Sequence, residues 1–291
     1  MHSDDDVLQA TALNGIYILF TVSKQNLIFV QVSSALDVIY GVLKSKLSNP
    51  SIQEAGLQIL DSLCWMDESR KLAKKIILMG CIERFTEALE AHPTSSKVLG
   101  AGFVGMGRLY YFNNEDWVTS LLAKHFTLVF EALKKASLPE DADPLALVNG
   151  ILVLYHVCEN NKGVAKWIDD VPVECVSVCV GLMRRFPSDV MLQNGCIQWL
   201  SYLCGYPKLR DEIVKEKGQE MILIARHLAK HRYVGPPAMM CIKLANDALL
   251  HIEACGVQLN IDTDDITLMM CEALDAIMME QARAEFLGDK S

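Results

Sequence analysis

The sequence predicts an all-α protein built by stacking about five to six similar helical modules into a right-handed superhelix. Three observations point there. The phrase "IQEAGLQILDSLC", ending at Cys64, returns as "LQNGCIQWLSYLC", ending at Cys204, with Gln53 on Gln193, Gln58 on Gln198 and Leu63 on Leu203. A small residue four positions before a Leu-x-x-Leu-like pattern recurs at Ala12, Gly56, Gly102, Gly150, Cys196 and Cys241, in steps of 44, 46, 48, 46 and 45 residues. No long stretch carries the alternating β-branched pattern of a strand, so the modules are helical.

A second landmark fixes the length of the module. Pro50, Pro93, Pro139 and Pro187 follow the first four small residues at offsets of 38, 37, 37 and 37, whereas the gap from each proline to the next small residue varies between 6 and 11. A rigid unit joined by an elastic surface loop produces that contrast, because loops absorb length changes at little cost. Each proline is expected to end a helix, with the Ser, Thr, Asp or Glu beside it starting the next.

The elements follow in order. The stretch 7–22 is a helix that begins mid-module, matching a later helix of a module whose earlier ones are missing. The next module reads as a long amphipathic helix through "IQEAGLQILDSLC", a short charged one in "DESRKLAKKIILMG" and a third in "CIERFTEALEAH". The small residue stands at the head of the long helix, where a short side chain lets a neighbouring helix approach. Gly100, Gly102, Gly105 and Gly107 fall inside such a helix with no strand before them, so they are packing glycines rather than a phosphate loop. Repeats are expected over residues 1–252, then a loop and a capping helix over 253–291, with the helix itself at 264–287.

Composition narrows the class. In 291 residues, 51% are hydrophobic and 22% charged, enough apolar material for a sizeable core. The net charge of −9 argues against nucleic acid, which needs a clustered positive field. The local basic run Arg226, His227, Lys230, His231 and Arg232 reads as the solvated end of a helix. Of the ten cysteines, Cys64, Cys158, Cys196, Cys204 and Cys241 sit in apolar helical phrases, no C-x-x-C pair occurs, and Cys175 and Cys179 lack a His at ligand spacing. Reduced, buried thiols, no bound metal, and a cytoplasmic, reducing compartment are expected. The apolar run "LNGIYILFTV" is too short to span a bilayer.

The small residue, the Leu-x-x-Leu phrase, the short charged helix and the helix ending near proline, repeated at about 45 residues, resemble the armadillo/HEAT-type α-solenoid repeat family. The three-helix module leans toward armadillo, over residues 8–252. The resemblance implies a groove-lining helix face on each repeat that receives a partner protein or peptide. In relatives that bind extended basic peptides, that face carries Trp and Asn four apart. The matching pairs here are Asn14/Ile18, Gln58/Ser62, Val104/Arg108, Leu152/His156, Gln198/Tyr202 and Lys243/Asp247, so nuclear-import cargo is not expected.

No nucleophile elbow, P-loop or zinc-protease motif occurs, and no cofactor is expected. The candidate residues are instead a partner-binding strip of Arg108, His156 and Tyr202 with Gln58 and Gln198, which share two register positions. Arg and Tyr are the side chains that most often anchor interfaces. "RLYYFNNEDW" adds aromatics at a helix end. The expected function is a non-enzymatic scaffold or adaptor. The alternative is an interaction or regulatory domain of a larger protein, an enzyme included, docking on its own chain or a partner. The apolar face of 7–22 is expected to be an interface, with further repeats or with a second copy.

Overall fold

A computed structural model describes residues 5–22, 35–66, 71–112, 125–139, 141–160, 171–233 and 235–257. Among the described residues there are thirteen α-helices and no strand. None of those helices is long and apolar enough to cross a membrane. The helix expected at 264–287 and the aromatic stretch beyond residue 112 lie outside the described residues. The chain divides into two compact units, Met1–Ile168 and Asp169–Ser291.

The first unit holds α1 (Asp6–Val22), α2 (Ala35–Ser45), α3 (Pro50–Met66), α4 (Lys71–Leu78), α5 (Cys81–Ala91), α6 (Ser96–Phe112), α7 (Phe126–Ala136) and α8 (Pro144–Asn160). The short helices are amphipathic: α5 buries Cys81, Ile82, Phe85, Thr86, Ala88 and Leu89, a helical stripe, and leaves Glu90 outside. The long helices α3, α6 and α8 are buried on most sides because neighbours surround them. They pack in chain order, α1 on α3, α3 on α6 and α6 on α8, while α5 packs on α7.

The second unit holds α9 (Glu174–Arg185), α10 (Val190–Leu203), α11 (Pro207–Lys215), α12 (Gly218–His231) and α13 (Pro236–Ala254). Here α10 packs on α13, and α9 covers α10. Trp199 on α10 is fully buried.

The recurring small residue is a contact point, but not at the helix head. Gly56 lies in the middle of α3, because Asn49 starts that helix earlier: its side-chain oxygen accepts from the N–H groups of Ser51 and Ile52 at 3.1 and 3.2 Å. A Cβ on Gly56 would meet Leu43 of α2 at 2.5 Å, one on Gly102 would meet Leu89 of α5 at 2.8 Å, and one on Gly150 would meet Leu133 of α7 at 2.9 Å. At each of these three positions a leucine of the preceding short helix fills the space that a side chain would take.

The prolines also behave differently from expectation at one place. Pro50 does not end a helix; it is the first residue of α3, where its missing N–H costs nothing. At Pro187 the expected arrangement holds, with Asp189 accepting from the Leu192 N–H at 2.8 Å to cap α10. The turn between α4 and α5 needs a left-handed residue, supplied by Gly80 at φ 87°, whereas the corresponding turn between α11 and α12 uses Lys217 at φ 58°.

The repeated phrase has a structural cause. Gln53 is 1% exposed and donates through its amide to the carbonyls of Leu43 and Lys46 at 2.9 and 3.1 Å. Gln193 is 2% exposed and donates to Met183 and Phe186 at 2.9 and 3.0 Å. The last carbonyls of a helix have no partner within it. In each unit the glutamine of a long helix closes the C-terminal end of the short helix before it, at sequence separations of 10 and 7 both times.

Polar ties join segments about one period apart. His92 Nε2 meets the Leu47 carbonyl at 2.7 Å, 45 residues away, and Asn49 donates to Asp6 at 2.9 Å, 43 away. In the second unit Asn194 donates to the Pro237 carbonyl at 3.2 Å and Tyr233 to that of Pro187 at 3.1 Å, 43 and 46 residues apart.

Candidate functional site

The candidate side chains all come from long helices, whose packing dictates their exposure. Most positions that face a neighbouring helix are apolar and buried; the candidate polar positions between them are half-buried. Gln58 on α3, Arg108 on α6 and His156 on α8 belong to the first unit and are all half-buried. Gln198 and Tyr202 on α10 are also half-buried, and they belong to the second unit.

In the first unit, consecutive packing of α3, α6 and α8 sets Arg108 and His156 at the same register on adjacent helices. Gln58 bonds weakly along its own helix, from Nε2 to Glu54 at 3.4 Å. Arg108 reaches back across the helix pair and donates to Asp61 Oδ2 at 2.6 Å. This pair was not legible as such in the sequence, although a lone carboxylate beside Ser62 in an apolar phrase was the available signal. Asp61 is 9% exposed, and its other oxygen, Oδ1, is buried with no hydrogen-bond partner. Burial pushes its carboxyl up to about 6, with the Arg108 guanidinium pulling the other way.

His156 stands against Tyr155, ring centroids 5.2 Å apart, with Nδ1 3.7 Å from Glu159. Burial lowers its pKa below the ordinary histidine value despite Glu159, which favours the charged ring. The neutral imidazole therefore dominates near neutral pH, offering one donor and one acceptor.

In the second unit, Tyr202 shares a hydrogen bond with Tyr206, oxygen to oxygen 2.9 Å, with rings 5.7 Å apart. Gln198 precedes Tyr202 by one turn on the same face of α10.

Chemically this is a set of amide, guanidinium, imidazole and phenol groups on helix faces. Each can exchange hydrogen bonds with a polypeptide. Among the described residues no three His, Cys, Asp or Glu side chains gather as a metal site. Cys64, Cys158, Cys196, Cys204 and Cys241 are each at most 2% exposed. The basic run at the end of α12 exposes His227 and His231, whose rings lie 4.4 Å apart.

No family model, no curated protein and no solved structure matches this chain.

Proposed function

We propose that the chain is a non-enzymatic scaffold or adaptor: a right-handed armadillo-like α-solenoid of about five to six repeats that binds a partner protein or peptide on its long-helix face. The observation that carries this reading is the in-order packing of the long helices, which aligns half-buried polar side chains in register. Gln58, Arg108 and His156 form the strip of the first unit; Gln198 and Tyr202 form that of the second. The Asp61–Arg108 pair holds the guanidinium in place before a partner arrives, which lowers the ordering cost of binding. A cytoplasmic, reducing setting and a protein rather than nucleic-acid partner complete the proposal.

Photo-crosslinkers placed at Gln58 and His156, and as controls at Glu90 and Lys135 on the exposed sides of α5 and α7, test it in native lysate. A partner captured from positions 58 and 156 but not from 90 and 135 supports the reading. Capture only from the short helices overturns it.

A second reading is favoured by α1. Leu8 on this helix is 46% exposed, although the matching Ile52 of α3 is fully buried. We infer an interaction module whose α1 face docks on another segment of a larger protein or on a second copy. Light scattering with hydrogen exchange is the check: a strictly monomeric chain whose residues 8–22 exchange as slowly as α6 rules it out.

A further inference from the structure

Each unit builds the same long-helix interface, and its two halves can be read by register from the recurring small residue. Positions −4, 0, +3 and +6 face the long helix before. Pro237 of α13 accepts through its carbonyl from Asn194 of α10 at 3.2 Å. A Cβ on Gly150 of α8 would lie 3.1 Å from Phe103 of α6, and Val153 of α8 would lie 3.6 Å from a Cβ on Gly107 of α6. Arg108 of α6 donates to Asp61 of α3 at 2.6 Å. The other members of these pairs, Asn194, Phe103, Gly107 and Asp61, hold positions −2, +1 and +5, which face the long helix after. Paired positions differ by no more than two, so the packed long helices run parallel.

Two long helices expose one half each. On α1 the positions −4, 0, +3 and +6 are Leu8, Ala12, Gly15 and Ile18, and all four are exposed. On α13 the positions −2, +1 and +5 are Met239, Ile242 and Asn246. Met239 is 72% exposed, whereas Val148 and Asn194 at the same register of α8 and α10 are at most 8% exposed. Asn246 and, one turn further on, Leu250 are also exposed.

We propose that α13 of one copy of this chain receives α1 of a second copy, head to tail, at the parallel offset used within each unit. The proposal rests on the reading of the α1 face as an interface and names the surface that receives it. The occupant is a second copy because α1 carries the complementary half of the interface that α13 leaves open. Charge agrees with that orientation. Helix α1 has no basic residue and Asp5 stands just before it. Parallel packing sets Asp5 beside the start of α13, where Lys230 and Arg232 at the end of α12 are exposed. The two halves are different surfaces, so the contact is heterologous and each added copy presents a new half to the next.

Light scattering on the full chain tests it with substitutions at exposed positions. The expected mass rises with concentration beyond that of one chain. Leu8→Asp and Met239→Asp should each hold it at one chain, with helicity unchanged by circular dichroism. Mixed in equal amounts, the two variants should form a dimer and nothing larger, because one keeps its α13 face and the other its α1 face. A photo-crosslinker at Met239, mixed with isotope-labelled unsubstituted chain, should join to residues 6–22 of the labelled copy. Undiminished association of Met239→Asp overturns the receiving face while the α1 reading stands. A crosslink from 239 only into its own chain overturns it in the same way, since the face is then already covered. A chain that is monomeric at every concentration also overturns the proposal, whereas the α1 reading falls only if residues 8–22 exchange as slowly as α6 as well.

Discussion

Helices α1 and α3 carry the same register 44 residues apart, yet they bury different amounts of it. Ile52 and Ala55 of α3 are fully buried, whereas the matching Leu8 and Thr11 of α1 are exposed. Gln53 closes the end of α2, and Gln9 holds the same position on α1, where its side-chain oxygen is buried without a hydrogen-bond partner. The burial of α3 has an identifiable source. In α3 the short helix α2 supplies Leu43 above Gly56 and open carbonyls for Gln53. Amphipathic pattern alone therefore does not bury a long helix in this protein; the short helix packed before it does.

Four measurements break or sharpen that comparison, and the largest effect comes first. Ile52→Ala removes a fully buried side chain and should cost about 2–5 kcal/mol, while Leu8→Ala in α1 should change stability by less than about 0.5 kcal/mol. Equal losses in urea titrations would mean that α1 is as enclosed as α3. If α1 docks on a partner, Leu8→Ala should weaken that complex without unfolding the chain.

Gly15 and Gly105 form the next pair, again at one register. A Cβ on Gly105 would sit 2.4 Å from the Phe85 ring, whereas one on Gly15 would meet nothing within 4 Å. Gly105→Ala should destabilise by about 1–3 kcal/mol through overpacking. Gly15→Ala should stabilise by about 0.5–1 kcal/mol, since alanine loses less conformational freedom in a helix. Thermal melts of the two variants should shift in opposite directions.

Replacing Gln53 by Leu leaves the Leu43 and Lys46 carbonyls without their donor in a buried site, at about 1–2 kcal/mol by chemical denaturation. The matching Gln9→Leu should be close to neutral. A large loss from Gln9→Leu would show that α1 already caps another helix.

A fourth effect is set by pH. Asp61 holds its proton more tightly when folded, with a pKa near 6 against an ordinary 3.8. A carboxyl raised in this way favours the folded state when protonated, so its contribution falls as pH rises from about 4 to about 6. Asp61→Asn should flatten that segment of the stability profile. Arg108→Met removes the opposing charge and should raise the Asp61 pKa further, which carboxyl NMR titration would follow. A pKa that drops in Arg108→Met would contradict the pairing.

Much of the fold was legible because the module recurs. The apolar spacing of "CIERFTEALEAH" translates directly into the buried stripe of α5, and the duplicated glutamine pointed to a position under structural constraint. Helix starts were less legible: Asn49 and Pro50 together begin α3, and a rule that reads every proline as a stop misplaces Gly56 at the helix head. For the candidate strip, the register of Arg108 and His156 was readable, but the ion pair to Asp61 was not, because it joins residues 47 apart whose approach depends on how α3 and α6 pack.

The sequence by itself determined the helical class, the period near 45 residues and which positions are small, since these depend on local spacing and on steric room within one module. Tertiary structure alone decided what fills each small position, which carbonyls the glutamines close, and why α1 exposes a register that α3 buries. Those outcomes are set by contacts between helices. A residue's own neighbours in the chain specify the face it lies on, but not whether another helix arrives to cover that face.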